Sequence, residues 1–337
     1  MKGIDEAVRQ VREGQRFLVA CHRRPDADAF GSAVGFSAVL QQLGKDVTLY
    51  VPDELSVTLH YLVGLVPHVR ELPEGATFDA CWVMDTAAKS LLPDGLPDRS
   101  VRGPLIVVDH HAAHDDVGDL KLRDTDACST GEVIATLARK LGVWPLPRAA
   151  ASPLYAAIVA DTGGFRYPAT KPCTLRLGAE LLEAGADPWE AAYELFEGWE
   201  EARMKLLASI LDTLELTECG RVAVLRVTRA MLAEVGANDD MVEGMVNYGR
   251  MLRGVEVAAL LWEWPRTPGA DGAVDDGYDT KISLRSRGSA DISLIAVALG
   301  GGGHRNAAGA QCSEDLETVR VRVLREAVAL LGPCARG

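Results

Sequence analysis

The sequence has no excess of basic residues. Its 35 lysines and arginines are outnumbered by 48 aspartates and glutamates, and the formal net charge is −13. A protein that holds a long duplex by neutralising phosphates needs a basic face. The composition therefore argues against a long duplex as a partner, whereas a small or short anionic substrate remains compatible with it.

Paired cysteines and long apolar runs are also missing. The seven cysteines are scattered singly and without a CxxC pair, which predicts reduced, small hydrophobic residues rather than a disulfide framework or zinc ligands. No stretch approaches the ~18 consecutive apolar residues that a membrane span needs, and residues 1–16 have no signal-peptide core. These absences predict a cytoplasmic protein with no membrane partner.

Strand and helix patterns alternate over the first half of the chain. Such alternation is typical of a parallel sheet covered by helices on both faces, so the predicted fold class is α/β and doubly wound. Strands are predicted at 17–21, 47–51, 79–84 and 105–108. Helices are predicted at 5–12, 30–44, 54–63, 128–140 and 149–160.

The pattern changes near residue 190. Helices are predicted at 187–197 and 199–216, then strands at 222–227, 255–261 and 281–285, a loop at 265–277, and helices at 241–251, 292–299 and 316–331. We therefore expect a larger doubly wound domain at 1–190, a helical linker at 191–219 and a smaller α/β C-terminal domain at 220–337.

A cluster of polar residues follows the first predicted strand. His22, Asp26 and Asp28 lie within seven residues, on the loop that leads to the next helix. Loops at this edge of an open α/β sheet bind ligands, and imidazole and carboxylate groups bind metals. The alternative is a surface turn in which Asp28 caps the helix.

Aspartates and histidines also follow other predicted strands of the sheet. Asp85 follows the third strand, Asp109, His110 and His111 follow the fourth, and Asp161 ends a helix. Because the carboxyl ends of parallel strands share one edge, we expect these groups to converge. Four aspartates within ~4 Å would repel by several kcal/mol per pair at a dielectric of about 20, so the cluster needs cations. The histidines favour manganese or another first-row ion over magnesium.

In order and content, these residues resemble the motifs of the DHH phosphoesterase superfamily. The motifs are His22-x-x-Pro25-Asp26-x-Asp28, Asp85-Thr86, Asp109-His110-His111 and Asp161-Thr162-Gly163, within residues 17–168. A further stretch at 300–309, GGGGHRNAAG, is similar to the glycine-rich motif of the DHH-associated C-terminal domain. With the chain length, the set resembles the nanoRNases that degrade short oligonucleotides and dephosphorylate 3′-phosphoadenosine 5′-phosphate (pAp).

This resemblance implies a role for each matched residue. One manganese ion would be held by His22, Asp26 and Asp85. A second would be held by Asp28, Asp85, His110 and Asp161, so that Asp85 bridges the two Mn²⁺ ions, for which Mg²⁺ or Co²⁺ could substitute. Asp109 would hold an imidazole in its metal-binding tautomer, and His111 would face the scissile phosphate, stabilising charge or protonating the leaving oxygen.

A local basic patch lies in the predicted C-terminal domain. Residues 281–305 contain Lys281, Arg285, Arg287 and Arg305 against the single acid Asp291. We expect the non-scissile phosphate or the nucleotide to bind here, with Arg285 as the candidate bidentate contact. The alternative is an ordinary surface arginine.

The glycines next to this patch have two interpretations. Successive N–H groups at Gly301, Gly302 and Gly303, next to His304, can form an anion-binding nest that a nucleotide approaches closely. Because the glycines follow a predicted helix, they could instead form its C-cap.

The expected activity is manganese-dependent hydrolysis of a phosphoester, with the substrate clamped between the two domains. The products would be 5′-mononucleotides from short RNA and AMP from pAp. Three rivals stay open: a cyclic-dinucleotide (c-di-AMP or pApA) phosphodiesterase, a RecJ-like exonuclease, which needs a further domain, and an inorganic pyrophosphatase, which lacks the GGGGH segment. A non-catalytic nucleotide sensor would have a broken ligand set, and none is broken here. Expected partners are short RNA or DNA oligonucleotides and pAp, and a homodimer is one open assembly state.

Other conspicuous residues receive a plainer interpretation. Trp189, Trp199, Trp262 and Trp264 are interpreted as packing residues. Arg166 and Tyr167, directly after the Asp161 motif, are equally compatible with a substrate cleft and with an ordinary surface.

Overall fold

A parallel sheet forms the centre of the first of two units, which ends at Gly198. The computed structural model describes residues 3–111, 115–266 and 277–332. Within these residues the strands of the first unit are β1 Arg16–Cys21, β2 Asp46–Tyr50, β3 His68–Val69, β4 Ala80–Met84, β5 Leu105–Asp109 and β6 Leu120–Arg123. Their order is β3-β2-β1-β4-β5-β6 and the pairs are parallel. The predicted α/β fold with a parallel sheet is confirmed.

The helices of this unit pack mainly on one face of the sheet. They are α1 Ile4–Glu13, α2 Ala27–Gln42, α3 Arg99–Arg102, α4 Thr130–Leu141, α5 Arg148–Asp161, α6 Pro172–Glu183 and α7 Pro188–Ala192, with 3₁₀ turns at Val57–Leu62 and Lys89–Leu91 and a π turn at Tyr193–Glu197. On the opposite face, Phe78, Leu92 and Leu96 from connecting segments cover a smaller core.

Two glycines let helices α2 and α5 pack closely. A Cβ at Gly31 would lie 3.4 Å from Ala157 Cβ, and one at Gly35 would lie 3.3 Å from the Ala150 carbonyl oxygen. The order of these contacts makes the two helices antiparallel. The start of α2 therefore lies beside the end of α5, which places Asp28 near Asp161.

The order of the strands reverses between β1 and β4. The chain leaves β1 toward β2 on one side of the sheet and continues from β4 toward β5 on the other. Cys21 pairs with Met84, so His22 and Asp85 emerge next to each other. This topological switch point is where open α/β sheets bind ligands.

The second unit, from Trp199 onward, is built on a mixed sheet. Its described strands are β7 Glu215–Leu216, β8 Val222–Val227, β9 Val257–Pro265, β10 Tyr278–Ser286, β11 Gly302–His304 and β12 Ala307–Cys312, in the order β11-β12-β10-β9-β8-β7. Its helices are α8 Glu201–Leu211, α9 Arg229–Val235, α10 Val246–Arg250, α11 Ser293–Ala298 and α12 Leu316–Leu331, with a 3₁₀ turn at Asp239–Val242. The predicted smaller α/β domain is confirmed as a fold, and its limits at 190 and 220 stay a prediction.

Two segments of this unit differ from the sequence prediction. The helix predicted at 199–216 ends at Leu211, because the Thr213 hydroxyl donates to the Ile210 carbonyl and accepts from Arg226 N–H, which turns the chain into β7. The glycines at 302–303 belong to the edge strand β11, which pairs with β12. The loop predicted at 265–277 lies outside the described residues except at its two ends.

The cysteines only partly follow the expectation. Cys21, Cys81, Cys128, Cys173 and Cys312 have free thiols, whereas Cys219 is disulfide-bonded, so the expectation of reduced cysteines is wrong at that residue. Among the helices of the described ranges, none combines the length and the apolar character that a membrane crossing requires.

Candidate metal centre

The switch point collects the polar residues that the sequence places at strand ends. His22 follows β1, Asp85 follows β4, and Asp109 is the last residue of β5, with His110 and His111 directly after it. Asp161 is the last residue of α5. Helix α2 begins at Ala27, so Asp28 lies in its first turn, and Asp26 caps the helix by accepting from Ala29 N–H at 3.0 Å. The helix predicted from Phe30 thus starts three residues earlier, and Asp28 is not its cap.

His22, Asp26 and Asp85 form the first group of residues that could hold a metal ion, called here the first ligand group. His22 Nε2 lies 3.8 Å from Asp26 Oδ1 and 3.6 Å from Asp85 Oδ2. His22 Nδ1 lies 2.8 Å from the Arg23 carbonyl oxygen, which can only accept a hydrogen bond. The proton therefore belongs on Nδ1, and the lone pair of Nε2 is directed at the carboxylates, the arrangement of a metal-ligating histidine.

Asp28, His110 and Asp161 form a second group. His110 Nε2 lies 3.1 Å from Asp161 Oδ2, 3.6 Å from Asp28 Oδ2 and 3.7 Å from Asp85 Oδ1. This nitrogen is buried and makes no hydrogen bond of acceptable geometry. A buried nitrogen that faces three carboxylates without such a bond fits a cation between them.

Asp28 is buried among hydrogen-bond donors. It accepts from Thr130 N–H at 2.8 Å and from Gly131 N–H at 3.0 Å, both at the start of α4, and from the Ser32 hydroxyl at 3.1 Å. Despite these donors, burial and the charges of Asp85 and Asp161 raise its pKa well above the ordinary value. The carboxylate form of Asp28 therefore needs additional positive charge in the site.

Asp85 connects the two groups. Its Oδ2 faces His22 and its Oδ1 faces His110, at the distances given above, and Oδ1 also accepts from the Thr130 hydroxyl at 2.8 Å. Its backbone has φ of 56°, a left-handed conformation that non-glycine residues adopt at functional sites. Burial, together with the charges of Asp26 and Asp161, raises the pKa of Asp85 to about 6. The side chain is thus fixed between both groups.

His111 is oriented by Asp109. Its Nδ1 donates to Asp109 Oδ1 at 2.8 Å and lies 3.5 Å from Asp85 Oδ1. The hydrogen bond to Asp109 raises the pKa of His111 above its usual value. Asp109 therefore contacts His111, and Asp85, His110 and His111 make up a third potential ligand group.

Thr130 is the site residue that sequence reasoning missed. It binds Asp28 through its N–H group and Asp85 through its hydroxyl. The available signal was local: Ser129 accepts from Glu132 N–H, and Glu132 accepts from Cys128 N–H, a capping pattern that marks the start of α4. A capping pattern indicates where a helix begins, but it does not indicate which side chains that helix end meets.

The predicted substrate-binding residues belong to the second unit. Lys281 and Arg285 lie on the same side of β10; the Lys281 ammonium is 4.1 Å from the Trp264 ring centroid, and Arg285 donates to the Leu284 carbonyl at 2.9 Å. His304 ends β11, and its side chain lies outside the described part of the chain.

Gly301, directly before β11, and the two glycines of β11 differ in their surroundings. A Cβ at Gly301 would lie 2.1 Å from the Gly309 carbonyl oxygen, and one at Gly303 would lie 2.6 Å from Ala308 Cα. Close pairing with β12 therefore explains why these two positions are glycine. At Gly302 a Cβ would meet no atom within 4 Å, so packing within the protein does not explain that glycine.

The chain is similar to known proteins over most of its length. The model of the DHH family, N-terminal domain, matches residues 16–158, and the model of the DHHA1 domain matches residues 220–331. A bifunctional oligoribonuclease and PAP phosphatase NrnA from Thermus thermophilus is 33% identical, over 96% of this chain and 92% of the relative. The protein of the same description from Bacillus subtilis is 28% identical, over 90% and 92%.

More distant similarities support the same fold. A probable manganese-dependent inorganic pyrophosphatase from Streptococcus agalactiae is 27% identical, over 73% of this chain and 81% of the relative. Among solved structures, an exopolyphosphatase-related protein from Bacteroides fragilis has a TM-score of 0.83 at 22% identity, covering 97% of this chain and 95% of that one. At this identity the structural similarity supports the fold alone.

Proposed function

The chain belongs to the DHH family of phosphoesterases, and from this premise we propose that it hydrolyses short oligoribonucleotides to 5′-mononucleotides and pAp to AMP. The observation that carries the proposal is the position of Asp85, which faces both ligand groups. A carboxylate in this position suits two divalent ions that act on one phosphoester. The substrates are proposed from the relatives described as oligoribonucleases and PAP phosphatases.

Manganese is the proposed metal. His22, Asp26 and Asp85 would hold one ion, and Asp28, Asp85, His110 and Asp161 would hold the other. The mixture of imidazole and carboxylate ligands suits Mn²⁺ better than Mg²⁺, with Co²⁺ as another substitute. When bound, such ions supply positive charge to the phosphate and lower the pKa of water.

His111 is the proposed proton donor. Because its Nδ1 donates to Asp109, we assign the proton that moves to Nε2. The Asp109 carboxylate favours the charged imidazolium, so His111 can stabilise negative charge on the phosphate or protonate the leaving oxygen.

A substrate panel tests the proposed function. Purified protein would be assayed with Mn²⁺, Mg²⁺ or Co²⁺ against pAp, RNA of two to 24 nucleotides, pyrophosphate and c-di-AMP. We expect the highest kcat/KM for pAp and the shortest RNA, with Mn²⁺. A clear preference for pyrophosphate or c-di-AMP would overturn the substrate assignment, and equal rates with Mg²⁺ would overturn the choice of metal.

Arg285 is the proposed phosphate contact in the second unit. Because a charge-assisted hydrogen bond is worth about 1.5 to 3 kcal/mol, Arg285→Ala should raise KM for pAp and short RNA by about 10- to 150-fold. Its kcat and metal content should stay near those of the parent protein. Michaelis–Menten kinetics and metal analysis measure both quantities, with the exposed Arg253→Ala as the charge-matched control. An unchanged KM for every phosphorylated substrate would contradict this contact.

Chain length should decide how fast RNA is degraded. With a net charge of −13 and only a local basic patch, favourable contacts cover a few phosphates and further phosphates meet an acidic surface. RNA of two to five nucleotides should therefore be hydrolysed faster than RNA of 24. The difference should grow as salt is lowered, because screening weakens. A preference for 24 nucleotides that is strongest at low salt would instead favour the RecJ-like alternative.

A further inference from the structure

Three aromatic residues form an exposed row at the end of the first unit. Trp189, Tyr193 and Phe196 lie on α7 and the following π turn, spaced four and three residues apart, and are 64%, 45% and 37% exposed. We call this set the aromatic row. The packing interpretation holds for Trp262, which is 7% exposed, but it is wrong for Trp189.

The aromatic row lies on the solvent-facing side of its segment, although large rings are usually buried. Ala191 and Leu195, the smaller apolar residues of the segment, pack against the core, whereas the large rings face solvent. The Trp189 and Tyr193 rings are neighbours, with centroids 5.9 Å apart and planes inclined by 38°. Large rings that the fold leaves exposed in a contiguous group mark a binding surface.

One end of the aromatic row adjoins the segment that follows Asp161. Gly163, Gly164 and Phe165 all have positive φ, and this turn brings the chain next to Phe196. A Cβ at Gly164 would lie 3.8 Å from Phe196 Cε2, and the Arg166 guanidinium lies 6.0 Å from the Phe196 ring centroid. Phe196, at this end of the row, thus lies next to Gly164, which is three residues along the chain from the proposed metal ligand Asp161.

We propose that the aromatic row stacks the bases of the oligonucleotide that lie beyond the scissile phosphate. This inference rests on the proposed function and adds a subsite to it. Every base has a π face, so such stacking tolerates any sequence. The seven helical steps from Trp189 to Phe196 span about 10 Å, which matches about three stacked bases and suits a short substrate.

The charges around the row favour bases over phosphates as its ligand. Glu190, Glu194 and Glu197 belong to the same segment, and their carboxylates would repel a phosphate backbone laid along it. Arg166 provides one cation at the end nearest Asp161. These charges therefore favour a single phosphate next to Arg166, with the uncharged bases along the rings.

Comparison of two substrates separates binding at this subsite from the catalytic step. A dinucleotide has a base beyond the scissile phosphate, whereas pAp has none. Phe196 is the ring nearest Asp161, so Phe196→Ala should raise KM for a ribodinucleotide about tenfold and leave pAp kinetics within about twofold. Phe196→Tyr should restore most of the loss, and substitution of Leu175, an exposed apolar residue on α6, by alanine should change the kinetics of neither substrate.

A dinucleotide with an abasic second position completes the experiment. Removal of that base should raise KM for the parent protein about tenfold, and Phe196→Ala should add little to that effect because both changes remove one contact. Additive effects, or unchanged dinucleotide kinetics while pAp and RNA are still hydrolysed, would overturn the inference. If the alanine variant of the row lost a dimer that the parent protein forms on size-exclusion chromatography, with an unchanged KM for the dinucleotide, the inference would also be overturned. A second copy of the chain would then occupy the row. Absence of both activities from the parent protein would instead refute the proposed function.

Discussion

Asp85→Asn should abolish turnover and lower bound manganese more than any other single ligand change. Asp85 is the carboxylate that faces both ligand groups, so its removal weakens both proposed ions, whereas Asp161→Asn removes a ligand from one ion. We expect kcat/KM for pAp to fall at least about a thousandfold, equivalent to about 4 kcal/mol. Metal analysis after desalting should show a lower manganese content for Asp85→Asn than for Asp161→Asn.

Asparagine is the informative substitution at this position. Asp85 has φ of 56°, which asparagine tolerates and β-branched residues do not. The amide oxygen can still accept from the Thr130 hydroxyl, so the variant keeps the local fold while it loses the charge. The exposed Asp240→Asn provides the matched control. Full manganese occupancy with normal rates in Asp85→Asn would contradict the two-metal proposal.

The sequence reveals most of this site because its residues follow strand ends. In a parallel sheet, the residue after each strand emerges at a shared edge, so His22, Asp85 and His110 could be grouped without any knowledge of tertiary packing. Asp161 ends a helix instead, and its place depends on the close antiparallel packing of α2 and α5 at Gly31. The sequence analysis included Asp161 because it is a further carboxylate at the end of an element, but the helix packing that brings it to the site is seen only in the folded chain.

Other features depend on packing that no local pattern encodes. Thr130 binds Asp28 and Asp85 from more than forty positions away along the chain. Tryptophan is a residue type that is expected in a protein core, which is why Trp189 is predicted to pack. Only the folded chain shows that Ala191 lies on the buried side of this helix and that Trp189 is exposed. Gly301 and Gly302 likewise look equivalent in the sequence. Only the pairing of β11 with β12 shows that a side chain would clash at Gly301 and would meet no atom of the protein at Gly302.

His111→Ala should leave manganese bound while kcat falls. We place His111 at the phosphate rather than in the two main ligand groups, since its Nδ1 donates to Asp109. Loss of general acid catalysis lowers kcat by about 10²- to 10⁴-fold, with KM little changed. His110→Ala is the matched comparison, because that imidazole faces Asp28 and Asp161 and its loss should release metal. If both variants lost the same amount of manganese, the roles of the two histidines would have to be exchanged.

The leaving group of the substrate separates the two roles that His111 could have. A nucleoside 5′-phosphate ester of p-nitrophenol releases a stable phenolate that needs no proton from the enzyme. If His111 protonates the leaving oxygen, His111→Ala should hydrolyse this ester at nearly the parent rate while its rate on a ribodinucleotide stays about 10²-fold or more below it. If His111 only stabilises charge on the phosphate, both substrates should lose the same factor, because the charge that develops at phosphorus is common to them. The ratio of the rate on the p-nitrophenyl ester to the rate on the ribodinucleotide in His111→Ala therefore shows whether His111 transfers a proton, independently of the absolute activity of the variant.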